Sequence, residues 1–202
     1  MIEPSEVCGA ILAGGGSTRM GSDKALLPLG EQTVIERITS ELSQCCVRVV
    51  INQDQPFPTV DPAIEVVHDI FVNAGPLAGL HAVLNHGSEP FVLVSACDTP
   101  FIQKEVFYSM FKEASKETQA LVPIYGDRLQ PLSGIYSRSL LPVVEQLLQD
   151  EQRSMRSLLD QINVQYISDF QSISEDMAGD HFFNMNTQDE YASARTLLRK
   201  YL

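Results

Sequence analysis

The stretch from Ile11 to Leu27, ILAGGGSTRMGSDKALL, sets three consecutive glycines and two cations, Arg19 and Lys24, directly after an apolar run. Glycines at the end of a strand let backbone N–H groups come close to an anion and permit positive φ. Arg19 adds a planar fork of donors and Lys24 a point charge. That combination suits a phosphate. The competing reading is a tight strand-to-helix turn with solvent-facing cations, and the presence of both cations weighs against it. Two familiar phosphate loops are excluded by spacing. Gly21 is followed by Ser22 rather than Lys, so this is no Walker A motif, and Gly14 and Gly16 put Arg19 where G-x-G-x-x-G needs its last glycine.

Three further residues fall where such a ligand would need them. In an open parallel sheet, ligands sit beyond the carboxyl ends of the strands. Asn52 closes VRVVIN, Asp69 closes AIEVVHD and Asp98 closes PFVLVSACD. A carboxylate at Asp98 could hold Mg²⁺, a hard cation commonly shared with substrate phosphates. Taken alone, Asp98 reads equally well as a helix N-cap beside Pro100. Next to the glycine loop, the metal reading gains.

The elements that must position these residues alternate. Val7 to Ala13, Val47 to Asn52, Ala63 to Asp69 and Pro90 to Asp98 read as strands. Between and after them, Val34, Ile35, Ile38 and Leu42 mark one helical face, GPLAGLHAVL from Gly75 begins another, and Val106 to Ala114 gives a third. ALVPIY and LQPLSGIY read as two strands around a Gly126-Asp127 turn. Helices follow over Leu140 to Leu148 and from SMRSLLDQI. The last helix has Thr187 as its cap and Glu190 three residues on, a capping box. Strand alternating with helix predicts an α/β fold: three layers, a mostly parallel sheet with helices on both faces, in one domain over residues 1–202.

Composition removes several classes. The 202 residues carry a formal net charge of −12, which argues against a nucleic-acid surface or an anionic membrane. A few cations focused in one cleft can still hold an anionic small molecule. The four cysteines (Cys8, Cys45, Cys46, Cys97) form no C-x-x-C pair and the four histidines show no metal-ligand spacing, so buried reduced thiols are expected and a structural zinc is not. No apolar run has membrane-spanning length, and the opening residues lack the pattern of a signal peptide, so a soluble cytoplasmic protein is expected.

LAGGGSTRMGSDKALL resembles the nucleotide-binding opening of the sugar-nucleotidyltransferase-like NTP transferases. It is most similar to the molybdenum cofactor guanylyltransferases, whose L-A-G-G, R-M-G and D-K elements stand here at Leu12 to Gly15, Arg19 to Gly21 and Asp23-Lys24. Asn52, Asp69 ahead of GPLAGL, CDTP at Cys97 to Pro100, QPLSGIY from Gln130 and NMNT from Asn184 follow in the family's order. The resemblance implies a Rossmann-like nucleotidyltransferase fold and transfer of GMP from GTP to molybdopterin, or its molybdenum-bearing form, with Mg²⁺ as cofactor and release of pyrophosphate. It implies nucleotide contacts from Leu12, Ala13, Gly14 and Gly15, phosphate binding by Lys24, nucleoside binding by Asn52 and Asp69, and GTP and Mg²⁺ binding by Asp98. Arg19, Lys24 and Asp98 would be the catalytic groups. Asn184 and Asn186 resemble an asparagine pair near the site, against the alternative of local capping before the last helix. Arg153 and Arg156 are candidates for the pterin side, against the default of solvated helix charges. A molybdoenzyme or another cofactor-biosynthesis protein would be the partner receiving the product. The competing readings are a cytidylyltransferase or sugar-1-phosphate enzyme of the same fold, and a non-catalytic nucleotide or cofactor carrier that would need the loop but not Asp98.

Overall fold

The computed structural model describes residues 1–14, 24–53, 61 and 64–201. Gly15 and Arg19, both expected at the site, lie outside the described residues, as does most of the proline-rich segment after Gln53.

Along the chain the elements are β1 (Val7–Leu12), a small hairpin of β2 (Pro28–Leu29) and β3 (Gln32–Thr33), α1 (Val34–Ser43), β4 (Arg48–Asn52), β5 (Glu65–Val67), α2 (Gly75–His86), β6 (Phe91–Ala96) and α3 (Lys104–Glu113). Then come β7 (Ala120–Tyr125), β8 (Arg128–Leu129), β9 (Ile135–Ser137), α4 (Leu141–Gln149), α5 (Met155–Leu159), β10 (Val164–Ile167), α6 (Glu175–His181) and α7 (Gln188–Leu197). The main sheet runs in the order β10-β7-β9-β6-β1-β4-β5, with β8 paired to β7 alone. β1 is central and parallel to both β4 and β6; β9 is the reversed strand, antiparallel to β6 and β7.

Every residue of β1 and β6 is buried, as expected of strands covered on both faces. Successive side chains alternate between two cores. Val7 and Ile11 of β1, with Ile51 and Leu93, pack with α1 and α3 and with C-terminal residues such as Met185 and Leu198. Cys8, Ala10 and Leu12, with Val50 and Val94, pack on the other face with α2, α4 and α5. The period-2 geometry of strands thus produces the three layers.

Several sequence expectations shift in detail. β5 is shorter than the AIEVVHD run, being an edge strand paired only with β4. The β6 strand ends at Ala96, because the Thr99 hydroxyl turns back to donate to the Ala96 carbonyl at 3.0 Å. Cys97 therefore follows the strand rather than sitting within it. The turn at Gly126 and Asp127 forms with both residues at positive φ, 55° and 57°. The return strand is broken, however: Pro131 starts a 3₁₀ turn (Pro131–Ser133) between β8 and β9. β10 and α6, too short for a clear periodic signal, were not expected from the sequence.

Candidate functional site

The carboxyl ends of β1, β4, β5 and β6 open on one edge of the sheet. At β1, Ala13 donates its amide to the Asn52 carbonyl at 2.8 Å, extending the pairing of β1 and β4 by one residue. Leu12 and Ala13 are buried there and Gly14 is exposed.

Asn52 is only 2% exposed. Its carboxamide nitrogen donates to the Val67 carbonyl at 3.2 Å and to Asp69 Oδ1 at 2.8 Å. Asn52 thereby ties β4 to the end of β5 and orients the Asp69 carboxylate at the edge. Room for it comes from α2. A Cβ on Gly79 would overlap Asn52 Oδ1 and lie 3.2 Å from a Leu12 methyl. The other glycine of GPLAGL has a different reason: Gly75 turns into the helix at φ 70°, the left-handed region that glycine occupies without strain.

Asp98 does not cap a helix. The cap of α3 is Gln103, and the intervening turn is braced from behind by Arg37, whose Nε donates to the Pro100 carbonyl at 3.4 Å. Asp98 Oδ1 is buried and has no hydrogen-bond partner among the described residues. Burial raises the Asp98 pKa above the ordinary carboxylate value; Lys24 opposes this, and Glu190 adds to it. A buried oxygen without a donor is costly. A hard cation would supply what it lacks, so this carboxylate fits a divalent metal. No group of three or more His, Cys, Asp or Glu that could hold a metal occurs among the described residues. A cation at Asp98 would complete its coordination with substrate and water oxygens.

Lys24, just after the glycine loop, reaches the C-terminal part of the chain: its Nζ donates to Asn186 Oδ1 at 2.8 Å. One residue earlier, the Met185 amide donates to the Asp98 carbonyl at 2.8 Å, and the Met185 side chain is fully buried. The NMNT segment therefore bridges Lys24 and Asp98. Asn186 takes part through its side chain. Asn184 is exposed and donates locally, to the Phe182 carbonyl at 3.2 Å. The two arginines of RSMR stand apart from this cluster. Arg153 Nη1 lies 3.5 Å from the Asn73 carbonyl beside the start of α2, and Arg156 is exposed and faces Asp160.

The structure thus brings Lys24, Asp98 and Asn186 together at one place and couples Asn52 to Asp69 at another along the same edge. By spacing, Glu190 is the third helical residue of the α7 capping box, and it does more than that. Its Oε2 accepts from the amides of both Asn186 and Thr187, at 2.6 and 2.8 Å. Those amides, first of all that of Asn186, hold its carboxyl below the usual range, and Lys24 lowers it further.

A three-layer α/β fold thus carries a lysine and a carboxylate with one unpartnered, buried oxygen among the described residues at the carboxyl edge of its sheet. The chain belongs to the family of the MobA-like NTP transferase domain, whose model matches residues 9–166. Among similar proteins, a probable molybdenum cofactor guanylyltransferase of Bacillus anthracis (strain CDC 684 / NRRL 3495) is 36% identical over 201 residues, covering 95% of this chain and 96% of that one. One of the same name from Peptoclostridium acidaminophilum is 34% identical over 187 residues, covering 89% and 84%. The crystal structure of molybdopterin-guanine dinucleotide biosynthesis protein A from Archaeoglobus fulgidus superposes with a TM-score of 0.81 at 27% identity, over 96% of this chain and 99% of that one.

Proposed function

We propose that this chain is a molybdenum cofactor guanylyltransferase, transferring GMP from GTP to molybdopterin or its molybdenum-bearing form. The observation that carries the reading is the NMNT bridge, which joins a cation, Lys24, to the backbone of Asp98, a half-buried carboxylate whose Oδ1 has no hydrogen-bond partner among the described residues. Relatives named for this activity share most of the chain with it. One domain over residues 1–202 carries the whole reaction in this reading.

A terminal phosphate oxygen of the pterin attacks the α-phosphorus of GTP. The bond from that phosphorus to the bridging oxygen breaks, and pyrophosphate leaves. The attacking phosphate is anionic near neutral pH, so a strong general base is not needed. The protein's tasks are alignment and charge compensation between two anions. Lys24 holds phosphate oxygens, with Arg19 assigned to the same task by the sequence motif. Asp69, oriented by Asn52, receives the nucleoside. Asn186, with Asn184 nearby, borders the acceptor side. Asp98 would hold Mg²⁺, which when bound offsets charge on the phosphates and on the leaving pyrophosphate. We place the enzyme in the cytoplasm; Cys8, Cys45 and Cys46 are buried thiols, in keeping with a reducing compartment. No helix among the described residues is long and apolar enough to cross a membrane.

The test is pyrophosphate release with molybdopterin as acceptor, comparing GTP, CTP and ATP with and without Mg²⁺. Mg²⁺-dependent release with GTP alone is expected. Release with CTP instead would move the chain to the cytidylyl branch, and nucleotide binding without release would leave the carrier reading.

A further inference from the structure

The α7 cap does more than an ordinary capping box requires. In such a box the glutamate three residues into the helix reaches back to the amide of the cap residue alone. Here Glu190 takes the Thr187 amide and also the amide before it, that of Asn186, on the same oxygen. The held residue is the one whose side chain accepts from Lys24. On its other side the backbone is pinned by the Met185 amide on the Asp98 carbonyl and by the buried Met185 side chain. Asn186 is thus fixed from both directions, and its carboxamide oxygen offers Lys24 one place to stand.

We propose that Glu190 is a positioning residue for the nucleotide's phosphates: by fixing Asn186 it sets the location of the Lys24 ammonium before the nucleotide arrives. This rests on Lys24 meeting a triphosphate, as in the reading above, but not on the identity of the base or the acceptor. A lysine side chain has many rotamers to lose on binding. A neutral carboxamide acceptor orients it without cancelling its charge, as a direct carboxylate pair would. The Glu190 carboxylate, whose own charge is met by two amides, then adds only long-range attraction for Lys24. The α7 helix has an independent anchor to the same region, Tyr191 Oη donating to the Pro28 carbonyl at 2.5 Å, so loss of Glu190 leaves the helix docked.

The experiment is a double-mutant cycle on nucleotide use. Wild type, Lys24→Ala, Glu190→Ala, the double variant and Glu190→Gln are compared for KM and kcat in pyrophosphate release, and for nucleotide affinity by calorimetry. The assay uses whichever nucleoside triphosphate the wild type takes best. A wild type that prefers CTP would overturn the guanylyl assignment and leave this test readable. The expected result is a rise in KM and dissociation constant of about three- to tenfold for Glu190→Ala, with kcat changed less. Glu190→Gln, which keeps an acceptor oxygen, should restore most of it. The double variant should be no worse than Lys24→Ala. Effects that multiply in the double variant would make Glu190 a helix cap only and overturn the proposal, as would a wild type that binds no nucleoside triphosphate. Melting temperatures separate the two roles: a lost cap lowers them equally with or without Lys24.

Discussion

At the residue scale the decisive group is Asp98. Its folded-state proton affinity is raised by burial, so the folded protein holds this proton at pH values where the unfolded chain has released it. Stability from this group is therefore present below the ordinary carboxylate pKa and falls as pH rises through the elevated value. Asp98→Asn removes the charge and keeps the shape. Without added metal it should be more stable than wild type at pH 7, by about 1 kcal/mol, the order of a buried unsatisfied polar group. Its turnover should fall at least about a hundredfold, the scale of losing a principal electrostatic contact. Urea unfolding at several pH values and pyrophosphate release would check both. A variant less stable than wild type would mean that Asp98 is a structural hydrogen-bonding residue. Near wild-type turnover with Mg²⁺ would remove the metal assignment. Asp98 was legible in the sequence because a carboxylate closing an apolar run stands out. Its orphaned oxygen was not, since burial and partners depend on residues far along the chain, Met185 and Lys24 among them.

At the scale of elements, the site depends on how closely α2 approaches the end of β4. Helix propensity alone favours Gly79→Ala by about 1 kcal/mol in mid-helix. The new Cβ would, however, overlap a carboxamide that two hydrogen bonds hold in place. Overpacking costs about 1–3 kcal/mol, so the clash outweighs the propensity gain. We expect Gly79→Ala to lower the melting temperature and, by displacing Asn52 and hence Asp69, to raise the KM for the nucleotide more than it lowers kcat. A variant as stable as wild type with unchanged KM would show that α2 can shift without disturbing the site. The alternation of strands and helices, and so the edge on which the site lies, could be read from hydrophobic period. The Thr187 and Glu190 cap could be read from spacing. The partner of Gly79 could not, because the register that brings Asn52 beneath it belongs to the sheet. Nor could the hydrogen bonds from the Asn52 carboxamide nitrogen to the Val67 carbonyl and Asp69, since they depend on how β4 pairs with β5.

At the scale of the whole molecule, the C-terminal part that supplies Asn186 is joined to the rest by a buried imidazole. His181 Nδ1 accepts from the Gln103 amide at 2.9 Å, which puts the ring proton on Nε2, facing Ser133 Oγ at 3.0 Å. One ring thus connects α6, the cap of α3 and the turn before β9. A second proton would have to enter at Nδ1, against an N–H donor, and burial pushes the His181 pKa down to about 3. The unfolded chain takes that proton near the ordinary value of 6.5, so the stability His181 contributes is present above that pH and lost as pH falls toward 3. Glu89, paired through both oxygens with Arg48 and held at about 2, loses its contribution only as pH falls below 4.5. Between pH 6.5 and 4.5 His181 is therefore the titrating group of the two. Net charge works the other way: at −12, added protons relieve self-repulsion and favour the folded state. Surface charges are screened beyond about 8 Å at physiological salt, whereas a buried imidazole is not. The histidine should dominate, with a loss of up to about 1.4 kcal/mol per pH unit. Urea midpoints for wild type should then decline from pH 6.5 to 4.5, and His181→Gln, although less stable at pH 7, should lose most of that slope. Equal slopes in the two proteins would assign the acid sensitivity to another buried group, such as His81, whose pKa burial also lowers, and the C-terminal segment would owe its attachment to packing rather than to this imidazole.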